Sequence, residues 1–489
     1  MLFREALARQ PDALALLDPL NKVRVTGHLP KQLTYAQADR AIEALSTYFV
    51  ELGLPTDSVI AIQLPNTVEF ALTVLAAHRA GLVVAVLPLL WRYAELTAAL
   101  NRVAARCIVT MGKIDGVAYA DLIMNAAAEA FSIRHICGFG TDLPAGIAPL
   151  DEVLNREPRS ARKLNQDGRK AAIISFDITA EGCRPVQRPH FSLLAAGLAM
   201  SLDSDVPQGA TVMSAFAPTS FAGLTSSLAI WLLSGGTLAL HHPFNSEVLE
   251  MQINTHGCDV LVAPAQLALR FGKFDLAARL PSLRNVIGLW RAPEQVAASD
   301  AWATPHVPLT DIYLFGETGL FGARRKKDGL RAPLTPGLQR TPRGSSGPSI
   351  ACEIFLTPEG TLGLRGPMVP VAAYAPLRPF REMLAAQSRQ DYVDTGYAAR
   401  IDQASGAICI TAPPSGVVAI GGYRFLSNDL QEWGRRLGQD ASLTALPDQF
   451  SGHRLLGRAP DNVRARQALG QLGLNPLMVE AFRDGSGVA

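Results

Sequence analysis

The chain has no cysteine pair spaced C-x-x-C; its six cysteines, at positions 107, 137, 183, 258, 352 and 409, are scattered. Such scatter argues against both a disulfide framework and a zinc knuckle. His241 and His242 are adjacent, a spacing that does not place two rings on one face, so they do not point to a metal. No apolar run suits a membrane span: 80–91 is short and holds Pro88, and 224–240 is broken by Ser234-Gly235-Gly236. The first nine residues carry charges where an export signal needs its apolar stretch, which makes the cytoplasm the expected location. A net charge of +2 over 489 residues provides no global field for nucleic acid or an anionic membrane. Internal repeats and low-complexity segments are also absent.

What the sequence does have is length and alternation. It is too long for one hydrophobic core, so two or more domains are expected. Residues 37–52, 69–80 and 93–104 repeat their apolar positions at three and four, the period of a helix, and Gly53 and Gly81 close the first two. Between them, 59–64, 83–87 and 106–110 read as buried strands, and strand-helix alternation implies parallel crossovers. Further strands are expected at 171–176, 211–217, 237–241, 260–263 and 286–289. A polar stretch, 155–170, separates the first part of the chain from the second, and 329–349 is rich in Gly, Pro, Arg and Ser, as a long loop would be.

The fold class expected is therefore α/β: a large N-terminal region of parallel and mixed sheets flanked by helices. From 351 onward the signals become strand-rich, which predicts a small β-rich, barrel-like subdomain. Pro413-Pro414-Ser415-Gly416 punctuates the chain between two β-type runs. This divides the chain into two domains, 1–411 and a small, shortened α+β domain over 412–489.

Three early stretches, LTYAQADRAIEALSTYFVELGL, SVIAIQLPNTVEFALTVLAAHRAGLVVAVLPLL and YAELTAAL, resemble the opening of the adenylate-forming superfamily. Its members are acyl- and aryl-CoA synthetases, peptide-synthetase adenylation domains and luciferases. The segment 217–240, then CDVLVAPAQLALRF, SLRNVIGLW, IYLFGETG, LGLRGP, YVDTGYAARID and VVAIGGYRF, arrive in the order that family would have. The resemblance covers most of the chain. It implies an enzyme that joins a carboxylate to the α-phosphate of ATP with Mg²⁺ and then passes the acyl group to a thiol, that of CoA or of phosphopantetheine on a carrier protein.

The site that the resemblance implies departs from the family's pattern. The family's phosphate loop, T-S-G-[ST]-T-G-x-P-K, uses glycines to bring backbone amides close to the triphosphate. Here the stretch runs from Phe176 through Asp177, Thr179, Glu181 and Gly182 to Arg184, Pro185 and Val186. Matched to His190 without a gap, it puts Arg184 at the lysine position and keeps no glycine; shifted by one, it keeps Gly182 and Pro185 and puts Val186 there. In either register Asp177 and Glu181 bring negative charge to a loop meant for phosphates. Thr179 and Gly182 remain candidates for contacting a nucleotide.

The family's Y-G-x-T-E motif becomes Phe315-Gly316-Glu317-Thr318-Gly319. Thr318 is kept for the phosphate and Gly319 replaces the metal-binding glutamate, while Glu317 either substitutes as ligand or is a loop carboxylate. Beside the adenine, Trp290 and Arg291 replace small residues, so the base is crowded unless the indole stacks on it. Tyr397 occupies the place of the ribose-binding aspartate. Proline and glycine replace the hinge arginine and aspartate, and 460–489 lacks the family's catalytic lysine. Gly421 and Gly422 keep the glycine pair near the pantetheine channel, or serve as a tight turn. Ser220, with Phe221 and Gly223, falls in the acyl-pocket segment, where Ser220 stands in place of a histidine common in relatives. Arg324-Arg325-Lys326-Lys327 either meets the 3′-phosphate of CoA or an acidic carrier, or is a solvated loop.

Two principal readings result. The leading one is a divergent acyl-CoA-synthetase homologue that holds an acyl or acyl-thioester ligand, or assists a biosynthetic partner enzyme, with ATP-dependent adenylation lost or strongly altered. The other is an active acid–thiol ligase using Arg184, Glu317 and Thr318 as substitute catalytic groups, in which case ATP and Mg²⁺ are its cofactors. An acyl-transfer or hydrolysis enzyme reusing the cleft is a third, but it lacks a G-x-S-x-G nucleophile motif.

Overall fold

A computed structural model of the chain describes residues 2–156, 168–273, 276–296, 301–304, 306–340, 350–374, 391–448 and 452–483. Parts of the expected polar separator and of the 329–349 loop lie outside these residues.

Helix Tyr35–Glu51 begins two residues earlier than its apolar period suggests, because Thr34 and Gln37 form a capping box. Gln37 N–H donates to Thr34 Oγ1 at 3.2 Å, and the Gln37 side chain accepts from Thr34 N at 2.9 Å. The helix buries Ala38, Ile42, Leu45 and Phe49, one face at helical spacing. Strands Val59–Gln63, Val83–Val86, Cys107–Met111 and His135–Phe139 are parallel neighbours, as the strand-helix alternation predicts. Ala171–Thr179 joins this seven-stranded sheet beside Val83–Val86 and pairs antiparallel with Gly182–Pro189 at its edge.

A second sheet, of eight strands, has a parallel centre made of Thr237–Leu240, Thr211–Ser214, Val260–Pro264, Asn285–Trp290 and Leu309–Phe315. Gly319–Arg324 folds back antiparallel on its edge. The two sheets share one apolar core that runs from Phe3 to Ile408.

The strand-rich stretch after 351 is an antiparallel meander of five strands, Gly337–Arg340, Ile350–Leu356, Thr361–Arg365, Val393–Ile401 and Ile408–Ala412. Its first and last strands do not pair among the described residues, so the expected barrel does not close there. Beyond Pro413–Gly416, strands Val417–Ile420, Tyr423–Leu426, Ser442–Asp448 and Gly452–Arg458 form a four-stranded sheet. Helices Ser427–Arg436, Asn462–Gln471 and Pro476–Glu480 accompany it, around a small core of their own with Leu430, Leu443, Leu469 and Phe482.

An ion cluster ties the N-terminal segment to helix Val68–Arg79. Lys22 Nζ lies 2.6 Å from both Asp18 Oδ2 and Glu69 Oε1, with all three side chains buried. Lys31 adds a second cation to Glu69 at 3.1 Å. Burial opposes the charge on Glu69, yet the two lysines hold its pKa below the ordinary carboxylate value.

Candidate functional site

The C-terminal ends of the parallel strands bring together Phe216–Phe221, which follow Thr211–Ser214, and Gly316–Thr318, which follow Leu309–Phe315. Crevices at this end of an open parallel sheet are where ligands bind. The hairpin Ala171–Thr179/Gly182–Pro189 closes the crevice on one side, and the turn at Gly421–Gly422 approaches from the C-terminal sheet.

The stretch read as a phosphate loop is therefore mostly strand. Asp177 pairs with Arg184 across the ladder, Thr179 with Gly182, and only Ala180 and Glu181 turn. Thr179 Oγ1 donates to Glu181 at 2.6 Å. Gly182 takes φ +106°, a left-handed value suited to glycine. Arg184 is occupied within the fold: it donates to Ala373 O at 3.3 Å, lies 3.9 Å from Glu181 and sits 5.7 Å over the Tyr374 ring.

Asp177 is the hub of the crevice, and it is 3% exposed. Its Oδ1 accepts from Arg424 Nη1 at 2.9 Å, and its Oδ2 accepts from Tyr374 Oη at 2.6 Å and from Glu317 N at 3.2 Å. Arg424 also donates to Tyr397 Oη at 2.7 Å. Burial opposes the Arg424 charge, but Tyr397 and Asp177 hold its pKa above the ordinary guanidinium value. Burial pushes the Tyr397 phenol up to about 12, so it stays protonated. Phe315 packs edge-on to Tyr397, their ring centroids 5.4 Å apart. Gly316, at φ +56°, has no room for a side chain: a Cβ would overlap the Arg424 guanidinium and come within 2.8 Å of Asp177 Oδ2.

The glycine pair at the other end of this contact is also a tight turn. Gly421 and Gly422 have φ of +54° and +98°. A Cβ on Gly422 would collide with Arg291, which donates to Gly421 O and stacks over Phe216 at 3.8 Å.

Glu317 faces inward. Its Oε2 accepts from Phe221 N at 2.8 Å, and burial raises its pKa to about 7 against the opposing charge of Arg188. Arg188 is itself fully buried, with its guanidinium 3.9 Å over the Phe221 ring. Its Nη2 donates to the Glu317 and Thr318 carbonyls, while Nε and Nη1 have no partner among the described residues. Each N–H left unpaired in the interior costs about 1–3 kcal/mol, more on a charged group.

Ser220 caps the short helix Phe221–Leu224 by accepting from Gly223 N at 3.2 Å, and a Cβ on Gly223 would overlap the Ala217 carbonyl. The next turn, Thr225–Ala229, is a π-helix, a widening often found beside functional sites.

Trp290 takes no part in these contacts. Its ring is 2% exposed and its indole donates to Asp311 Oδ1 at 2.8 Å, so the stacking face expected for a base is turned into the sheet's flank. Asp311 also holds Arg325 in a buried ion pair at 2.9 Å, and Arg324 pairs with Asp205. Of the basic run, Arg324, Lys326 and Lys327 are exposed, and Lys326 and Lys327 lie outside these two ion pairs.

The structure thus brings Phe315, Gly316, Glu317, Thr318, Tyr397, Phe221 and the Gly421–Gly422 turn to one place. Asp177, Arg188, Tyr374 and Arg424 hold them there, roles that sequence reasoning did not assign. The one available signal was the complementary charge of Asp177 in an altered loop and Arg424 after the glycine pair.

Comparison with known proteins agrees with this architecture. Residues 3–171 match the family described as AMP-binding enzyme. Glycine betaine reductase ATRR of Emericella nidulans is 25% identical over 337 residues, 65% of this chain and 23% of that protein. Medium-chain fatty-acid–CoA ligase of Escherichia coli is 25% identical over 178 residues, 36% of this chain and 31% of its own length. 4-Chlorobenzoate–CoA ligase of Arthrobacter sp. is 29% identical over 153 residues, 29% of this chain and 27% of that enzyme. The matched stretches therefore span less than a third of these relatives' lengths. Among solved structures, apo MbtA of Mycobacterium smegmatis superposes with a TM-score of 0.65 at 21% identity, covering 97% of this chain and 88% of that one. The amide bond synthetase McbA of Marinactinospora thermotolerans does so with 0.70 at 15%, covering 98% and 94%. At these identities the superpositions speak for the fold alone.

Proposed function

We propose, from the premise that this chain belongs to the adenylate-forming superfamily with an acyl-CoA-ligase-like fold, that its cleft holds an acyl or acyl-thioester ligand and that ATP-dependent adenylation there is lost or strongly altered. Residues 1–411 then form the ligand-binding domain and 412–489 a shortened C-terminal domain docked on it.

The observation that carries this reading is the saturation of Asp177. Donors that an incoming phosphate needs, a guanidinium, a phenol and a backbone N–H, are already directed at an internal carboxylate. A triphosphate entering the crevice meets that carboxylate at short range and must also displace Arg424. The residues present do not fit a magnesium-bound nucleotide: Gly319 offers no ligand, and the buried Glu317 turns Oε2 to Phe221 N and has its neutral form favoured by burial. CoA or phosphopantetheine is the thiol carrier this fold would take, approaching by the Gly421–Gly422 turn. An acyl carboxylate, a carrier protein or a biosynthetic partner enzyme would be the source of the acyl group.

The competing reading, an active acid–thiol ligase, assigns Arg184, Glu317 and Thr318 to ATP and Mg²⁺. Against it stand the contacts Arg184 makes with Ala373, Glu181 and Tyr374, and the inward turn of Glu317.

Thermal-shift titration with ATP·Mg²⁺, CoA and butyryl-CoA, run alongside ATP–pyrophosphate exchange with fatty and aryl acids, tests the choice. Stabilisation by the thioester without stabilisation by ATP is expected. Robust magnesium-dependent exchange that Thr318→Ala removes would overturn the proposal.

A further inference from the structure

Most buried cations in this fold are spoken for. Lys22 has Asp18 and Glu69, Arg325 has Asp311, and Arg424 has Asp177 and Tyr397. Arg188 differs. It is fully buried, yet its contacts are one aromatic face and two backbone carbonyls, both taken by Nη2. No carboxylate lies within ion-pair distance of it among the described residues, and its Nε–H and both Nη1–H groups point at no acceptor. A guanidinium kept in the interior with open donors is ordinarily matched by an acceptor of fixed geometry.

Its surroundings say where that acceptor enters. Phe221, under the guanidinium, begins the helix of the acyl-pocket segment, and the Glu317–Thr318 turn forms the adjoining wall. Stacking on Phe221 and the bonds to the two carbonyls fix the plane of the guanidinium, so the direction of its unpaired, buried donors is set. Glu317, the acid whose charge acts most strongly on Arg188, with Asp177 behind it, turns Oε2 to Phe221 N and accepts from neither Nε nor Nη1.

We propose that Arg188 is a carboxylate anchor, and that the ligand of this cleft presents a carboxylate to Nε and Nη1 beside Phe221. The inference rests on the acyl-ligand reading above and narrows it to ligands with a negative end. That carboxylate has two chemical sources: the distal group of a dicarboxylic acyl thioester, or the single group of a free short-chain acid. The first keeps its charge after the thioester has formed, and the second is the unactivated acid.

Isothermal titration of the full chain with succinyl-CoA, butyryl-CoA, succinate and butyrate separates the outcomes. The two thioesters have the same chain length and differ by the terminal carboxylate. A charge-assisted hydrogen bond at a buried site makes succinyl-CoA tighter by at least about tenfold. In Arg188→Met that preference is expected to shrink to about threefold or less, and Arg188→Lys to recover part of it. Because Arg188→Met also strips two carbonyls of their donor, the wild-type comparison stands as a test by itself. If succinyl-CoA and butyryl-CoA bind wild type equally well, the anchor is refuted while the thioester reading survives. If succinate or butyrate binds in an Arg188-dependent manner and neither thioester binds, the anchor survives and the thioester reading fails. Binding of none of the four refutes both.

Discussion

Asp177 and Arg424 lie 247 positions apart in the chain and meet at 2.9 Å, with the carboxylate buried and the guanidinium nearly so. The pair joins the hairpin at the edge of the seven-stranded sheet to the first hairpin of the C-terminal sheet. The Arg291–Gly421 hydrogen bond reaches the same hairpin.

Removing one partner leaves the other charge buried with fewer ligands. Arg424→Met is expected to lower global stability by about 3 kcal/mol, the lower end for a broken buried pair, because Asp177 retains Tyr374 and the Glu317 amide. Hydrogen exchange should accelerate across 417–426. An unchanged denaturation midpoint with unchanged exchange there would mean that the pair does not hold the two sheets together.

Glu317 predicts a pH signature. The folded chain keeps a proton on it between the ordinary value of 4.5 and about 7, whereas the unfolded chain releases that proton. The contribution of this group to stability is therefore greatest at or below 4.5 and declines as pH rises through about 7, by on the order of 3 kcal/mol. Glu317→Gln cannot titrate. The stability difference between wild type and variant, followed by urea denaturation from pH 4.5 to 8, should shift against wild type as pH rises, and a flat difference would count against the burial effect.

Gly422→Ala tests the turn. Its φ of +98° and the overlap with Arg291 act together, so a loss exceeding about 1 kcal/mol is expected. Gly470→Ala is the control, since nothing lies near its Cβ position and it is within helix Asn462–Gln471. That control should be neutral or slightly stabilising, and equal effects at both positions would remove the steric argument.

Lys22→Met leaves the buried Asp18 without its cation and Glu69 with Lys31 alone. A loss of about 3–5 kcal/mol is expected in chemical denaturation. A loss below about 1 kcal/mol would show that the cluster behaves like a surface pair.

Much of the fold was legible because it depends on hydrophobic period. The helices and strands between 35 and 111 fall within about two residues of where the apolar pattern puts them. Polar side chains pointing inward were harder to read. The strand predicted to end at 176 continues to Thr179, since Asp177 pairs in register with Arg184 and finds its acceptor role only through Arg424, far along the chain. Arg188 belongs to no motif in the sequence, and nothing local reveals that its guanidinium lies over Phe221. Trp290 was expected beside a base because the family resemblance puts an adenine-packing segment there. It is in fact the last residue of strand Asn285–Trp290, on the flank where Asp311 waits.

The fate of Arg324 and Arg325 bears on how fast anything charged reaches this protein. Of four adjacent basic residues, Arg325 is buried against Asp311 and the exposed Arg324 is paired with Asp205, which leaves Lys326 and Lys327 outside these pairs, with the Asp328 carboxylate next to them. Such a tip attracts weakly and only within a Debye length, about 8 Å at physiological salt. Anionic ligands should therefore arrive by plain diffusion, with encounter rates that scarcely respond to added salt.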